Sequence, residues 1–282
     1  MGEPMARNLL KAGYAVHVHS RTRSKAQQLL SEGAAWHDSC AELAEAVDVV
    51  ISIVSDSPDV EAVYFGESGV CARLRTGALC IDMSTVAPDT ARAVAVAVKK
   101  RGGDFLDAPV SGGGTGARAG TLSIMVGGDE AAVARAKPLF DAVGKGVVHC
   151  GPVGNGQLTK LCNQILCGLN LLAVSEALVF AKRVGLNPET VLRAVSSGAA
   201  GSWALDNLGT RMLARDFAPM FMIDLQQKDL RIALAAARER GVPLVGTSLV
   251  HQLLSANQAA GEGREGTQAL VKTIERLASL TG

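Results

Sequence analysis

The chain has 282 residues, 48% of them hydrophobic, a net charge of +1 and six cysteines without a CxxC pair. That length allows one large or two ordinary domains with a sizeable core. The near-neutral balance argues against a nucleic-acid coat or a polybasic membrane anchor, and the cysteine spacing against a zinc site or a disulfide scaffold.

The six cysteines are expected to be buried, reduced thiols in a cytoplasmic protein. The most apolar stretch, residues 161–181, holds Asn163, Gln164, Asn170, Ser175 and Glu176. A membrane span would suffer from burying those groups, whereas a core helix with one functional face would not.

In chain order, "MGEPMARNLLKAGY" predicts a helix over 4–12. Met5, Leu9 and Leu10 share a face, Pro4 suits the first turn and Gly13 suits the C-terminal cap. "YAVHVHS" then alternates as a strand. This order is the back half of a βαβ unit, with Gly2 in the place of the third glycine of a dinucleotide fingerprint. The front strand and the first two glycines would lie upstream. That strand would be central in the sheet, and each buried N–H or C=O left unpaired beside it costs about 1–3 kcal/mol. The expectation is therefore a longer natural chain, and weak dinucleotide binding by the sequence as it stands.

Further strands are expected at "VDVVISIV", "ALCIDMS", "GDFLDAP", "TLSIMVGG" and "GVVHC", with helices over 25–33, 40–46 and 88–101 among them. Such alternation implies a mostly parallel sheet wrapped by helices. After "GPVGNG" almost everything has helical spacing. The expected fold is an α/β Rossmann-type domain, its first strand missing, over 1–151, followed by an all-α domain over 152–282. A helix over 157–183, roughly 40 Å long at 1.5 Å per residue, is expected to open the second domain and lie between the two.

Five segments carry candidate chemistry. At "SRTRSK" a dinucleotide enzyme chooses between a ribose hydroxyl and a 2′-phosphate. Arg21, Thr22 and Lys25 with no acid suit the phosphate, although a solvated basic turn reads the same way. "DMST" ends an apolar strand, so Ser84 and Thr85 either face a ligand or cap the helix after them. "SGGGTGARAG" precedes a strand, which excludes a displaced fingerprint. It is expected to be a loop, either merely flexible or one whose Ser111, Gly112 and Gly113 cradle a carboxylate. In "GNGQLTKLCNQ", Lys160 and Asn163 share a helix face. Beside an apolar cleft an ammonium near a helix N-terminus holds its proton less tightly and becomes a general acid/base; an exposed lysine is the plainer alternative. In "DLQQKDL", Asp224 and Lys228 stand at i, i+4, the spacing of a surface ion pair.

Together and in this order, "MGEPMARNLLKAGY", "SRTRSK", "DMSTVAP", "DAPVSGGGTGARAGTL", "GNGQLTKLCNQ" and "QKDL" resemble the β-hydroxyacid dehydrogenases over essentially the whole chain. That family includes 3-hydroxyisobutyrate dehydrogenase, tartronate semialdehyde reductase and the glyoxylate/succinic semialdehyde reductases. The resemblance implies an NAD(P)-dependent oxidoreductase interconverting a small β-hydroxyacid and its semialdehyde. It implies Lys160 as the catalytic lysine and Asn163 as its polar partner. Ser111, Gly112 and Gly113 become the carboxylate clamp, and Thr85 a threonine close to the nicotinamide. Lys228 becomes a lysine reaching cofactor and substrate. Gly2, Arg21, Thr22 and Lys25 would complete the cofactor site, with NADP(H) favoured over NAD(H) and no metal. The resemblance further implies a homodimer or homotetramer, with the all-α domain serving substrate and oligomerisation. Gly266 stands where the family usually has an aspartate, near the substrate region. A non-catalytic relative using the all-α domain for protein contacts is the competing reading; the presence of Lys160 and Asn163 weighs against it.

Overall fold

A computed structural model describes residues 1–280 and divides the chain into two compact units, Met1–Lys160 and Leu161–Gly282. The first is built from α1 (Gly2–Lys11), β1 (His17–Val18), α2 (Gln27–Ser31), β2 (Ala35–Trp36), α3 (Cys40–Ala46), β3 (Val49–Ser52) and α4 (Ser57–Tyr64). It continues with β4 (Leu79–Asp82), α5 (Pro88–Lys100), β5 (Asp104–Asp107), β6 (Val110–Ser111), α6 (Gly113–Ala119), β7 (Leu122–Gly127), α7 (Glu130–Val143) and β8 (Gly144–Gly151).

β3, β4 and β5 pair in parallel, while β7 runs antiparallel to β5 and β6 and parallel to β8. β1 and β2 form a separate parallel pair. Alternate residues of the central strands enter two cores. Leu79, Ile81, Leu106 and Ile124 meet Met5 and Leu9 of α1 and Phe140 of α7. Val50, Cys80 and Phe105 meet Val60 and Tyr64 of α4 and Val94 and Val98 of α5. Covering both faces is why β4 reads as an unbroken apolar run, "ALCID", and not as an alternating one.

The α/β expectation holds, with two local differences. First, "SGGGTGARAG" is not a loop: Gly113–Ala119 is helical, with Gly112 at its N-cap at φ 127° and Gly113 at φ 60°. Tertiary contacts override the poor helix propensity of glycine. Asn8 of α1 donates to the Ala117 carbonyl, and Gly116 lies so close to Leu122 that a Cβ there would stand 3.2 Å from its side chain. Second, of the six cysteines only Cys80 is buried, and Cys162 and Cys167 are exposed. None of the six forms a disulfide among the described residues.

The second unit takes most of α8 (Asn155–Arg183), a single helix of 29 residues, and then α9 (Pro188–Ser196), α10 (Thr210–Leu213), α11 (Ile223–Glu239), α12 (Val245–Ala259) and α13 (Leu270–Leu277). Its core gathers Leu171, Leu178, Ile223, Leu230, Val250, Leu254 and Leu270. α8 is long and apolar enough to cross a membrane by length and composition, yet Gln157, Gln164 and Ser175 are buried along it. The division between the units falls inside α8, whose first turn is bound to the sheet by the contacts described next.

Candidate active site

Parallel sheets open their ligand crevice at the carboxyl ends of the strands. Here β4 and β5 end side by side on two carboxylates, Asp82 and Asp107, which stand in register and are fully buried.

Asp82 organises the segment after β4. Its Oδ1 accepts from the Ser52 hydroxyl at 2.8 Å and the Ser84 hydroxyl at 2.7 Å. The Ser84 hydroxyl oxygen in turn accepts from the Val54 N–H at 2.8 Å. The ends of β3 and β4 are thereby tied to the "DMST" turn, which carries the half-buried Thr85.

Asp107 organises the start of α8. Its two oxygens accept separately from the Gly154 N–H at 2.7 Å and the Gln157 N–H at 2.8 Å, satisfying donors that a helix N-terminus leaves open. Burial pushes this carboxyl up to about 6 against the pull of those N–H groups, with the Asp82 charge adding to the rise. The approach is close enough to demand glycine. A Cβ on Gly156 would stand 2.5 Å from the carbonyl oxygens of Asp107 and Met125, and one on Gly127 would stand 2.5 Å from Asp107 Oδ1.

Gln157 joins the two arrangements. Its Oε1 accepts from the Val86 N–H at 3.0 Å and its Nε2 donates to the Ser84 carbonyl at 2.9 Å. One turn further along α8, Lys160 is only 6% exposed, so the exposed-lysine alternative fails.

The other candidates of the first unit lie as follows. Gly2 opens α1 where a Cβ would come within 3.2 Å of Ile53, a close approach at the end of β3. Arg21 is largely exposed and pairs with Asp59 of α4 at 3.0 Å, while Thr22 and Lys25 are exposed in the turn that follows β1. Arg23 lies over the Trp36 ring, 5.3 Å from its centroid. Ser111 ends β6 opposite Ser123 of β7, with Gly112 and Gly113 leading into α6.

In the second unit Asn163 is half-buried and donates to the Cys167 sulfur at 3.6 Å. Lys228 pairs with the buried Asp229 at 2.7 Å. The other oxygen of Asp229 accepts from Gln164 at 2.5 Å, linking α8 to α11. Asp224 accepts from Gln258 at 2.6 Å. A Cβ on Gly266 would fall onto the Gln268 carboxamide, which occupies the space a larger residue at 266 would need.

Residues 1–151 match the family model described as the NAD binding domain of 6-phosphogluconate dehydrogenase. Residues 154–274 match that of the NAD-binding domain of NADP-dependent 3-hydroxyisobutyrate dehydrogenase. The 2-hydroxy-3-oxopropionate reductase of Escherichia coli (strain K12) is 44% identical over 99% of this chain and 95% of its own. The chain belongs to the β-hydroxyacid dehydrogenase family. Among solved structures, a 3-hydroxyisobutyrate dehydrogenase of Mycobacterium tuberculosis with L-serine superposes at a TM-score of 0.89. It is 32% identical, with 97% of this chain and 95% of that one covered. Psf3 in complex with NADP+ and 2-OPP superposes at 0.88, at 27% identity over 97% of this chain and 96% of that one. This β-hydroxyacid dehydrogenase is accordingly an NAD(P)-dependent oxidoreductase.

Sequence reasoning passed over Asp82, Asp107, Gln157 and Asp229 as polar anchors. All four sit inside motifs it singled out, "DMST", "DAPVSGGGTGARAGTL", "GNGQLTK" and "QKDL". A carboxylate closing an otherwise apolar strand was the available signal.

Proposed function

We propose that the enzyme interconverts a small β-hydroxyacid and its semialdehyde, of the 2-hydroxy-3-oxopropionate, glyoxylate/succinic semialdehyde or 3-hydroxyisobutyrate type, with NADP(H) preferred over NAD(H). The observation that carries this reading is the burial of Lys160 one turn beyond the point where Asp107 and Gln157 bind the start of α8 to the sheet. An ammonium kept from bulk solvent in a fixed helical turn suits proton transfer to a carbonyl oxygen.

In this reading Lys160 donates its proton to the substrate oxygen in reduction and recovers it from the hydroxyl in oxidation. Ser111 and the amides of Gly112 and Gly113 bind the substrate carboxylate. Asn163, on the same face of α8 as Lys160, orients the substrate, and Lys228 is assigned to substrate and cofactor. The nicotinamide cofactor, when bound, supplies or accepts the hydride. Gly2, as the third fingerprint glycine, allows the close packing of α1 against the end of β3 at Ile53, and Thr85 flanks the nicotinamide. The exposed Arg21, with Thr22 and Lys25, offers a guanidinium fork and a hydroxyl to a 2′-phosphate; Asp59 is the partner that a phosphate would displace from Arg21.

The same reading places the protein in the cytoplasm, with residues 1–151 holding the cofactor and 152–282 serving substrate and self-association. Leu166 and Phe180 on α8 and Val245 and Leu249 on α12 are exposed apolar side chains that a second copy would cover in a homodimer or homotetramer. Purified protein assayed for NADPH and NADH oxidation against glyoxylate, succinic semialdehyde and 2-hydroxy-3-oxopropionate tests the substrate class. Lys160→Ala is expected to lower kcat by at least about 10²-fold while leaving the circular dichroism and melting curve in place. Wild-type turnover by that variant would refute the assignment.

A further inference from the structure

The carboxamide of Gln157 is wholly buried and spends both of its ends on one short segment. It accepts from Val86 and donates to Ser84, the two neighbours of Thr85, and these partners lie 71 and 73 residues away in sequence. The backbone N–H of Gln157 is held by Asp107, so the residue cannot slide along the sheet without losing a third bond. Lys160 follows three residues later, about 4.5 Å along a helix of 1.5 Å rise. Gln157 therefore sets how far the turn carrying Lys160 stands from the segment carrying Thr85.

We infer that Gln157 is a positioning residue for hydride and proton transfer, holding the Thr85 segment and Lys160 at a fixed separation. The inference rests on the reading of Lys160 and Thr85 given under Proposed function. A purely structural glutamine is a poor explanation of the arrangement. The same turn is already bound by Asp107 and by the close approach of Gly127 and Gly156, and the "DMST" turn is already bound by Asp82. The carboxamide adds a bond pair that joins the two anchored segments to each other. Hydride and proton transfer depend steeply on such separations, and a displacement of about 1 Å costs up to about 10²-fold in rate.

The test is single-turnover hydride transfer in the full-length enzyme. It is followed by the absorbance of reduced nicotinamide, with the best substrate of the panel above. Gln157→Met keeps the side-chain volume and removes both bonds. Gln157→Asn keeps the amide but leaves it one methylene short, and serves if the methionine variant does not fold. Either is expected to lower the single-turnover rate constant by about 10- to 100-fold, with the substrate KM moving far less than kcat. A merely structural role would instead reduce the amplitude, which counts folded enzyme, and leave the rate constant at its wild-type value; that result overturns the inference. Lys160→Ala run in parallel separates the two levels. If Lys160→Ala is inactive and Gln157→Met transfers hydride at the wild-type rate, the positioning role fails and the lysine reading stands. If Lys160→Ala turns over normally, the lysine reading itself has failed.

Discussion

Asp107 gives the sharpest quantitative prediction. Burial raises its pKa from 3.8 to about 6, so the folded protein holds this proton more tightly than the unfolded chain does. At about 1.4 kcal/mol per tenfold in proton affinity, the difference is worth about 3 kcal/mol. Because the folded value is the higher one, that contribution is complete below about pH 3.8 and is lost as the pH rises through about 6. Ionised Asp107 thus costs stability at neutral pH, where it accepts from Gly154 and Gln157. Asp107→Asn cannot titrate; its amide faces one N–H with a donor, a pH-independent penalty of about 1–3 kcal/mol. Urea unfolding of both proteins across this range therefore isolates the group. The stability of wild type minus that of the variant is expected to fall by about 2.5 kcal/mol between about pH 4 and pH 7. A difference that stays flat across this interval would refute the claim that Asp107 is ionised at a cost.

Two further outcomes follow from close contacts. Gly156→Ala would put a methyl group 2.5 Å from the Asp107 and Met125 carbonyl oxygens. Overpacking against backbone is expected to cost about 1–3 kcal/mol in a denaturation experiment and to lower kcat as well, because the displaced turn carries Lys160. Arg21→Ala removes an exposed guanidinium whose surface pair with Asp59 is worth little to stability, so the melting curve should hardly move. If Arg21 reads the 2′-phosphate, its loss raises the KM for NADPH by about 10-fold or more and leaves that for NADH near wild type, a split visible in steady-state assays with the two cofactors.

The parts of this enzyme that were legible in its sequence are those written in local periodicity. The apolar runs at 79–82 and 122–127 and the amphipathic spacing of 88–100 each specify an element and its buried face without reference to anything distant. Where the sequence reading went astray, a long-range contact had outweighed a local preference. Five glycines within nine residues argue against a helix, and it is Asn8 and Leu122 that make α6 one. The site was half legible for the same reason. Lys160 and Thr85 belong to recognisable strings, but what holds their segments in relation to one another is a set of hydrogen bonds between residues 47 to 73 positions apart. No spacing rule reaches that far. The link is visible only once β4 and β5 end side by side and two carboxylates, one holding a turn and one holding a helix, are bridged by a single carboxamide. A lysine proposed to transfer protons from a helix N-terminal turn needs that turn fixed more than it needs the rest of the helix fixed. The first turn of α8 is the part that the sheet holds most directly, and this is the physical reason to look for catalysis there.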